Sequence, residues 1–431
     1  MGNIIRKTTN YFRRNGLKQT VFAVAQNLTL KTPKEYFYVP LSEEELLFMR
    51  KNPPQTQTKI SILVPAYQTD PDYFRQLLDS VVSQIYPFWE LVIADASGNE
   101  NLLAIVQEYR QRITQQSEIR YLSLEENLGI SENTNVALDA ANGEYIGLLD
   151  HDDVLTPDAL YWIARELAKG TPDLIYSDED KMDAEMKSFY EPHRKKKLNL
   201  DLIMSNNYIC HFSVMKADIM KRLRFRKEYD GAQDYDIILR CIAQAKDKDA
   251  VVHIPRILYH WRCHEQSTAS NTDSKMYAYE NGLKAVEDFA RSRGYDVRVS
   301  HMRHLGFYRV EYLPDIFTNR PEVGILAGPV VVHGKIAGGA MNKEGKVLYG
   351  GLPTGYSGYQ HRASLCMTVS AGDVRNMKVC PALQPLWESM VVLNKGKREA
   401  DYVKMSLAFC ERARAMGYKV VYDPQFRVGK Q

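Results

Sequence analysis

The sequence predicts an α/β fold with a doubly wound, Rossmann-like and mostly parallel sheet, and three observations support this prediction. From Lys59 onward, short apolar runs typical of buried strands alternate with amphipathic segments of helical period. Two of the predicted strands end directly in an acid, at Asp95 and Asp150. The second is followed by two more acids, Asp152 and Asp153. Because ligands bind beyond the carboxyl ends of the strands in such sheets, we expect a ligand site there.

The predicted elements follow one another with short connections. Strands are predicted at 60–64, 90–94, 119–122, 143–149, 173–177 and 251–254, and helices at 71–83, 100–116, 131–141 and 233–245. Pro65 ends the first strand, and Ser131 is the predicted cap of the third helix. Alternation at this spacing favours parallel strands, so Asp95 and Asp150 are expected on one rim of the sheet.

The composition is that of a globular protein with two or three domains. Its 431 residues are 45% apolar and 25% charged, and a net charge of +3 gives no reason to expect a nucleic acid partner. The six cysteines show no paired spacing, which predicts reduced thiols and a cytoplasmic protein. No apolar run reaches the roughly 20 residues that span a bilayer, so no integral membrane segment is expected.

Residues 1–58 are predicted to form a basic leader that ends in a linker. Residues 1–34 contain seven Lys and Arg side chains and no acid, with apolar residues between them. A basic amphipathic helix lying peripherally on an anionic membrane has this pattern. A helix packed on its own domain, with its charges in solvent, has it too, so both interpretations stay open. Residues 52–58 carry the Pro-rich composition of a linker.

The acidic turn Asp150–Asp153 needs a positive partner, because three carboxylates within four positions repel one another. A divalent cation is one such partner, and hard oxygen ligands suit Mg²⁺ or Mn²⁺. The alternative is a strand-to-helix turn in which Asp153 or Thr156 caps the helix that follows.

Five segments occur in order between Val64 and Asp236, and together they resemble one family. They are Val64–Tyr67 (pattern VPxY), Ile93–Ser97 (VDDGS, with Ala96 replacing the second Asp), Asn127–Asn135 (NxGxSxARN, with Thr134 replacing Arg), Asp150–Asp153 (DxD) and Gly231–Asp236. The set resembles the inverting family 2 glycosyltransferases of GT-A fold, over about residues 60–268. Three more segments, 176–181, 233–236 and 259–269, resemble bacterial members that assemble surface polysaccharides of the O-antigen or rhamnan type.

The resemblance implies a role for each motif residue. Asp234 would be the general base that takes the proton of the acceptor hydroxyl, so that a single displacement inverts the anomeric carbon. Asp152 would anchor the metal ion, which stabilises the leaving diphosphate. His260 would be a further metal ligand and would favour Mn²⁺ over Mg²⁺, with His264 and His253 as competitors and a structural histidine as the alternative. Asp153 and Asp236 are candidates for support. The implied donor-binding residues are Pro65, Ala66, Tyr67, Asp95, Asn127, Gly129, Asn135 and Asp150.

The remainder of the chain resembles a second glycosyltransferase domain that has been shortened. Gly306–Pro314 is similar to the join between tandem domains in that subgroup, but Arg320–Gly328 is similar to a point well inside the second domain. On an internal alignment, Asp234 corresponds to Ser406, which cannot act as a carboxylate base. We therefore expect a leader at 1–58, a GT-A domain at 59–313 and a degenerate domain at 314–431. Coincidental likeness of one helix–strand unit is the alternative.

The sequence thus predicts a metal-dependent, inverting glycosyltransferase, cytoplasmic or peripheral at the inner membrane face. The expected donor is a UDP- or dTDP-sugar, and the expected acceptor is a growing surface polysaccharide or its lipid-linked precursor. One rival is an enzyme of the same fold with another acceptor. The other is a non-catalytic pseudo-glycosyltransferase that acts as partner or scaffold of an assembly enzyme. Whether the chain forms homo-oligomers is left open.

Overall fold

The computed structural model describes residues 36–245, 249–264, 276–393 and 398–429, together with residues 12, 16, 17, 20, 21 and 23–25. The predicted membrane-binding helix of 1–34 and the motif residues Ser267–Ala269 lie largely or wholly outside this set. The chain divides into two compact units. The N-terminal unit contains Glu35–Leu198 and Asn207–Arg293, and the C-terminal unit contains Asn199–Asn206 and Gly294–Gln431. None of the described helices is long and apolar enough to cross a bilayer.

The helices and strands have the following bounds in chain order. The helices are α1 (Glu43–Lys51), α2 (Pro71–Val82), α3 (Asn101–Arg110), α4 (Ile130–Ala140), α5 (Ala159–Leu167), α6 (Leu200–Ser205), α7 (Ala217–Leu223), α8 (Gln233–Gln244), α9 (Met276–Ser292), α10 (Ile316–Asn319), α11 (Gln384–Met390) and α12 (Glu399–Ala415). The strands are β1 (Ile60–Ala66), β2 (Trp89–Asp95), β3 (Glu118–Ser123), β4 (Tyr145–Leu148), β5 (Val154–Leu155), β6 (Leu174–Asp183), β7 (Phe189–His193), β8 (Ser213–Lys216), β9 (Val251–Cys263), β10 (Val297–His301), β11 (Tyr308–Tyr312), β12 (Val323–Ala327), β13 (Val330–Val332), β14 (Lys335–Gly338), β15 (Met367–Val369), β16 (Met377–Val379) and β17 (Lys419–Tyr422).

One sheet organises the N-terminal unit. Among the described residues its strand order is β3-β2-β1-β4-β8-β6-β9-β5, with β7 beside β6. Strands β1 to β4 are parallel to one another, β8 is antiparallel to both of its neighbours, and β6 is parallel to β9. The mostly parallel α/β sheet predicted from the sequence is confirmed.

The first half of this unit folds as its sequence pattern dictates. Every residue of β2 is buried, as expected of a strand covered on both faces. Helix α2 begins at Pro71 behind Asp70, whose carboxylate accepts hydrogen bonds from the backbone N–H of Asp72 (2.8 Å) and Tyr73 (3.3 Å). The prediction that Ser131 caps α4 is wrong. The cap position is Gly129, and the Ser131 hydroxyl donates to a backbone carbonyl at Arg226 (3.2 Å).

Two strands run further than their apolar residues predict. Strand β6 continues from the predicted 173–177 to Asp183, and β9 continues from 251–254 to Cys263. Three acids of β6 are buried within the sheet, and each has a partner: Asp178 lies 2.8 Å from His253, Glu179 lies 3.1 Å from Lys195, and Asp180 lies 2.5 Å from His260. Lys195 is buried, whereas Arg194, Lys196 and Lys197 beside it are exposed. Pairing allows the charged segment to continue the strand.

Residues 36–58 belong to the N-terminal unit in the structure. The hydroxyl of Tyr86 donates to the carbonyl of Thr58 (2.8 Å), and that of Tyr161 donates to the carbonyl of Asn52 (3.0 Å). Helix α1 starts with a capping box between Ser42 and Glu45. The domain boundaries predicted from the sequence stay a prediction.

The C-terminal unit is built on a smaller sheet. Its described strands have the order β15-β17-β12-β16, and β12 and β17 are parallel. Two further antiparallel pairs, β10–β11 and β13–β14, complete its strands. Helix α12 immediately precedes β17, so the helix–strand unit inferred from the internal comparison exists. The buried Arg320 guanidinium pairs with the Asp201 carboxylate of α6, which also accepts from Thr368 Oγ1 (2.6 Å).

Candidate active site

The acidic turn lies where the sequence places it, directly beyond β4. Strand β4 ends at Leu148, and the turn to β5 contains Asp150, Asp152 and Asp153. Strand β2 runs parallel to β1, which in turn runs parallel to β4, so Asp95 at the end of β2 faces the same rim. The side chain of Asp150 is half exposed, whereas Asp153 is fully buried.

Asp153 holds the turn together rather than facing the solvent. Its Oδ1 accepts from the backbone N–H of Arg262 (2.7 Å), and its Oδ2 accepts from the hydroxyl of Tyr259 (2.5 Å). The Arg262 Nε donates to the carbonyl oxygen of Asp152 (2.5 Å), which ties the turn to the end of β9. Burial, reinforced by Asp152 and Asp150, raises the pKa of Asp153 well above its ordinary value.

The histidine next to Asp152 is His264 and not His260. His264 Nε2 lies 2.8 Å from Asp152 Oδ2, and both side chains remain partly exposed. His260 is buried, its Nδ1 lies 2.5 Å from Asp180, and its ring contacts Tyr38. Strand pairing within the sheet directs His260 toward Asp180, and the chain reaches Asp152 only after β9 has ended, so the structure brings the competitor His264 beside the predicted metal anchor. Which histidine binds the metal stays a prediction.

His211 lies between the acidic turn and the predicted base. Its Nε2 is 3.7 Å from Asp150 Oδ2 and 3.2 Å from Cys210 Sγ, and the thiol donates to Asp234 Oδ2 (3.2 Å). The His211 ring stacks on the Tyr259 ring, with centroids 4.6 Å apart. Asp150 and Asp234, which are far apart in sequence, are thus joined through two intervening side chains.

Glu179 supports His211 from behind. Its Oε2 lies 3.2 Å from His211 Nδ1 and 3.1 Å from Lys195 Nζ, and its Oε1 lies 3.2 Å from His193. Burial disfavours the Glu179 carboxylate, but Lys195 and the two histidines outweigh it and hold the Glu179 pKa well below its usual range. Burial also disfavours the charged ring of His211, yet Cys210 and Glu179 raise its pKa well above the ordinary value. His211 therefore lies between the carboxyl groups of Asp150 and Glu179.

Asp234 and Asp236 have different surroundings although they are two residues apart in the first turn of α8. Asp234 is partly exposed and accepts from Asn207 Nδ2 (2.7 Å). Asp236 is buried in ion pairs with Arg226 and Arg240, the latter at 2.6 Å. A partly exposed carboxylate can meet an acceptor hydroxyl, whereas Asp236 serves to fix the helix.

The predicted donor-binding residues divide into reachable and enclosed groups. Pro65 and Ala66 belong to the end of β1. Tyr67 follows this strand, and its side chain is 45% exposed. Asp95 is buried, and its carboxylate accepts from the Tyr121 hydroxyl (2.6 Å) and from the backbone N–H of Ser97 (2.9 Å).

Asn127, Gly129 and Asn135 shape the backbone around α4. Asn127 Oδ1 accepts from the backbone N–H of Gly129 (3.1 Å). Gly129 has a φ of +97°, and a Cβ there would lie 2.6 Å from the Asp230 carboxylate, so no other residue fits. Asn135 is buried; its Nδ2 donates to the carbonyl of Phe225 and its Oδ1 accepts from the backbone N–H of Phe225 (2.9 Å each). This is a structural contact.

Sequence reasoning missed several members of the site. Cys210 and His211 follow no recognised motif and lie in a connection before β8, so only the fold brings them to Asp150. Glu179 was part of a quoted segment but received no role. Its signal was present: three consecutive acids directly after an apolar strand require partners, and the structure supplies them.

The donor set fits a divalent cation of the Mg²⁺ or Mn²⁺ type. Within the described residues, one ligand atom from each of Asp150, Asp153 and His211 lies within 4.8 Å of the others. Both oxygens of Asp153 already accept hydrogen bonds, so the side chains that could hold a cation are the half-exposed Asp150 and the partly exposed Asp152 and His264. Carboxylate oxygens with one imidazole suit Mn²⁺ and leave positions for phosphate.

The sheet and its acidic turn together define the GT-A class of glycosyltransferase fold. Residues 61–224 match the family model described as "Glycosyl transferase family 2". Residues 61–224 are therefore a glycosyl transferase family 2 domain, as the sequence motifs predict.

Individual relatives match a similar part of the chain. It is 38% identical over 244 residues to the uncharacterized protein y4gI of Sinorhizobium fredii, covering 56% of this chain and 26% of that protein. It is 31% identical over 259 residues to the O-antigen biosynthesis protein RfbC of Myxococcus xanthus, covering 59% and 20%. The matched region thus spans about a quarter or less of these two relatives. Among solved structures, S. aureus TarS 1–349 in complex with UDP-GlcNAc aligns with 21% identity and a TM-score of 0.45, covering 55% of this chain and 66% of that one.

Proposed function

We propose that the chain is a metal-dependent, inverting glycosyltransferase that transfers a sugar from a UDP- or dTDP-sugar to a growing surface polysaccharide or its lipid-linked precursor. The observation that carries this proposal is the short connection from Asp150 through His211 and Cys210 to Asp234. It connects the rim at which a nucleotide diphosphate would bind to a partly exposed carboxylate.

Asp152 and His264 would hold the ion, with Asp150 completing the acidic side of the site. When bound, a divalent ion stabilises the negative charge that develops on the leaving diphosphate. Asp95 and Tyr121 are placed at the same rim for a uracil or thymine base. His264 replaces His260 in this proposal because of its 2.8 Å contact with Asp152.

Asp234 would accept the proton of the acceptor hydroxyl as the sugar is attacked. Asn207 and Cys210 both donate to its Oδ2, which leaves Oδ1 for that proton. One base and one displacement invert the anomeric configuration, and no carboxylate nucleophile is needed. The choice of a polysaccharide acceptor is supported by the motif resemblance and by the name of the RfbC relative.

The test is a thermal-shift and calorimetric screen of nucleoside diphosphates and nucleotide sugars with Mn²⁺, with Mg²⁺ and with EDTA. We expect one nucleotide class to stabilise the full chain only when metal is present. Failure of every nucleotide to bind would contradict the proposal and favour the scaffold alternative.

A cytoplasmic location and peripheral membrane contact through 1–34 stay predictions. Deletion of 1–34 is expected to weaken sedimentation of the chain with anionic vesicles. High salt should weaken the sedimentation of the intact chain in the same way. Unchanged vesicle binding would remove the membrane role of this segment.

A further inference from the structure

A cavity lies in the C-terminal unit, and no step of the proposed reaction uses it. Its volume is about 440 Å³, which falls within the range of small-molecule sites. It is bounded by the loop between β10 and β11, the loop around residues 354–364 and the segment that follows β17. All of these elements belong to the C-terminal unit.

The charge of this cavity is one-sided. Three guanidinium groups line it, from Arg303, Arg309 and Arg427, and two imidazoles join them, from His301 and His304. Among the described residues, no Asp or Glu side chain lines the cavity. A site with this lining attracts anions.

Two of the three guanidinium groups keep an uncompensated charge. Arg309 is balanced by a bidentate ion pair with Asp423, at 3.0 and 3.1 Å. Arg303 donates to the carbonyl of Gly355 (3.4 Å), and Arg427 donates to the carbonyls of Pro424 (3.0 Å) and Phe426 (2.6 Å). Carbonyl oxygens orient a guanidinium without neutralising it, and in the described part of the chain neither Arg303 nor Arg427 forms an ion pair. Each retains N–H donors for an oxyanion.

The rest of the lining suits a sugar rather than a bare ion. Ser300 and Thr354 line the cavity, together with Phe307, whose ring packs 4.8 Å from the ring of His361. The Thr354 hydroxyl donates to the carbonyl of Gly334 (2.9 Å), so it can meet a sugar hydroxyl as an acceptor. Hydroxyls exchange hydrogen bonds with sugar hydroxyls, and an aromatic ring covers the apolar face of a pyranose. The volume also exceeds what a phosphate ion alone would fill.

We propose that this cavity binds an anionic saccharide, a sugar that bears a phosphate or a carboxylate group, with Arg303 and Arg427 on the oxyanion. If the chain is the transferase proposed above, the site would hold an anionic residue of the acceptor glycan. That role depends on the proposed function, whereas the binding itself does not.

The test is calorimetry on the full chain in EDTA, so that metal-dependent nucleotide binding does not contribute. Glucose 1-phosphate, glucuronate, inorganic phosphate and glucose are titrated separately. We expect one of the two anionic sugars to bind at least about tenfold more tightly than glucose, and the tighter one identifies the anionic group. Equal binding of glucose would overturn the proposal, and inorganic phosphate binding as tightly as the sugar phosphate would overturn its saccharide part.

Variants locate the binding. The double variant Arg303→Gln/Arg427→Gln should lose about tenfold or more in affinity. Arg412→Gln, an exposed position on α12 of the same unit, is the matched control and should bind as the intact chain does. Undiminished affinity in the double variant would contradict the site. If the double variant does not fold, the single variant at the exposed Arg303 gives the same answer.

The same samples separate this proposal from the first. Titration of UDP with Mn²⁺ should be unchanged in the Arg303→Gln/Arg427→Gln variant. Absence of any nucleotide binding by the intact chain would remove the proposed function and leave the anionic-sugar result standing.

Discussion

Both units of the chain contain a helix followed by a strand of a parallel pair, but only one of them bears the predicted chemistry. In the N-terminal unit, α8 presents Asp234 in its first turn. In the C-terminal unit, α12 begins seven positions before Ser406, which is buried in the middle of the helix. The Ser406 hydroxyl donates to Tyr402 O (2.7 Å) and accepts from the backbone N–H of Val374 (3.1 Å). The same framework thus serves packing where the titratable group is absent.

The ends of the central strands differ in the same way. Strand β4 is followed by Asp150, whereas β12 ends at Ala327 and continues into Gly328. A Cβ at Gly328 would lie 2.2 Å from the carbonyl oxygen of Phe426, so the backbone closes over the strand end that corresponds to the start of the acidic turn in the first sheet. One unit leaves its strand ends open, and the other fills them with its own chain.

The largest expected effect comes from substituting Asp234, and substitution of the corresponding Ser406 is its control. Asp234→Asn should reduce the transfer rate by about 10²- to 10⁴-fold, because the amide cannot accept the proton, while nucleotide binding persists. Ser406→Ala should leave the transfer rate unchanged. Initial rates with the donor found by the screen measure both, and a transfer rate that survives Asp234→Asn would remove this residue as the base.

The next largest effect concerns the buried ion pair of the C-terminal unit. Asp201→Asn removes one of the two carboxylates that pair with the buried Arg320 guanidinium and leaves Glu322 (3.0 Å), at an expected cost of about 1.5–3 kcal/mol in the unfolding free energy of that unit. Urea denaturation measures this cost. The control Asp296→Asn, at an exposed position of the same unit, should change stability by less than about 0.5 kcal/mol. Equal effects of the two variants would contradict the role of the pair.

A smaller effect separates the two histidines of the N-terminal unit. His264→Gln should weaken Mn²⁺-dependent nucleotide affinity by about 10- to 100-fold through loss of a metal ligand, with little change in stability. His260→Gln should lower the melting temperature, because Asp180 loses a buried partner, and should leave the Mn²⁺ dependence in place. The reverse pattern would restore His260 as the ligand.

The smallest effect is a pH-dependent one at the base of β2. Glu90 is buried, and its Oε1 accepts from Ser61 Oγ (2.5 Å) and from Gly143 N (2.9 Å). Burial raises the Glu90 pKa, but the hydrogen bonds from Ser61 and from the backbone N–H of Asn142, together with Lys59, outweigh it, so the Glu90 pKa is lowered from 4.5. Because its pKa is lower in the folded chain, the ionised Glu90 carboxylate stabilises the fold above pH 4.5. This stability is lost as the pH falls through the folded-state pKa.

Glu90→Gln should therefore cost about 1–3 kcal/mol near neutral pH, and the difference from the intact chain should shrink below pH 4.5. Denaturation series at pH 7 and at pH 3.5 to 4 measure it. Glu108→Gln removes an exposed ion pair with Arg75, which solvent screens, and should change the free energy of unfolding far less than Glu90→Gln does. A loss that does not depend on pH would contradict this account of Glu90.

Much of the N-terminal unit could be predicted because its signals are local. The apolar runs of β1 and β2, Pro71 at the start of α2 and the acids after β4 each depend on neighbouring residues. The family assignment followed from the order of such segments.

The parts that could not be predicted depend on contacts between distant segments. His211 reaches Asp150 only because β8 lies beside β4, and His264 rather than His260 contacts Asp152 because of how far β9 extends. The acids of β6 look like a loop until their partners His253, Lys195 and His260 are known. The cavity of the C-terminal unit is likewise formed by three loops that share no local signal.

Metal-dependent binding of the donor at Asp152 is tested most directly by calorimetry. The nucleotide sugar identified by the screen is titrated into the intact chain and into Asp152→Asn, each with Mn²⁺ and with EDTA. We expect the intact chain to bind the nucleotide sugar only with Mn²⁺ and Asp152→Asn to bind it weakly under both conditions. Mn²⁺-dependent binding by Asp152→Asn with the affinity of the intact chain would contradict this expectation.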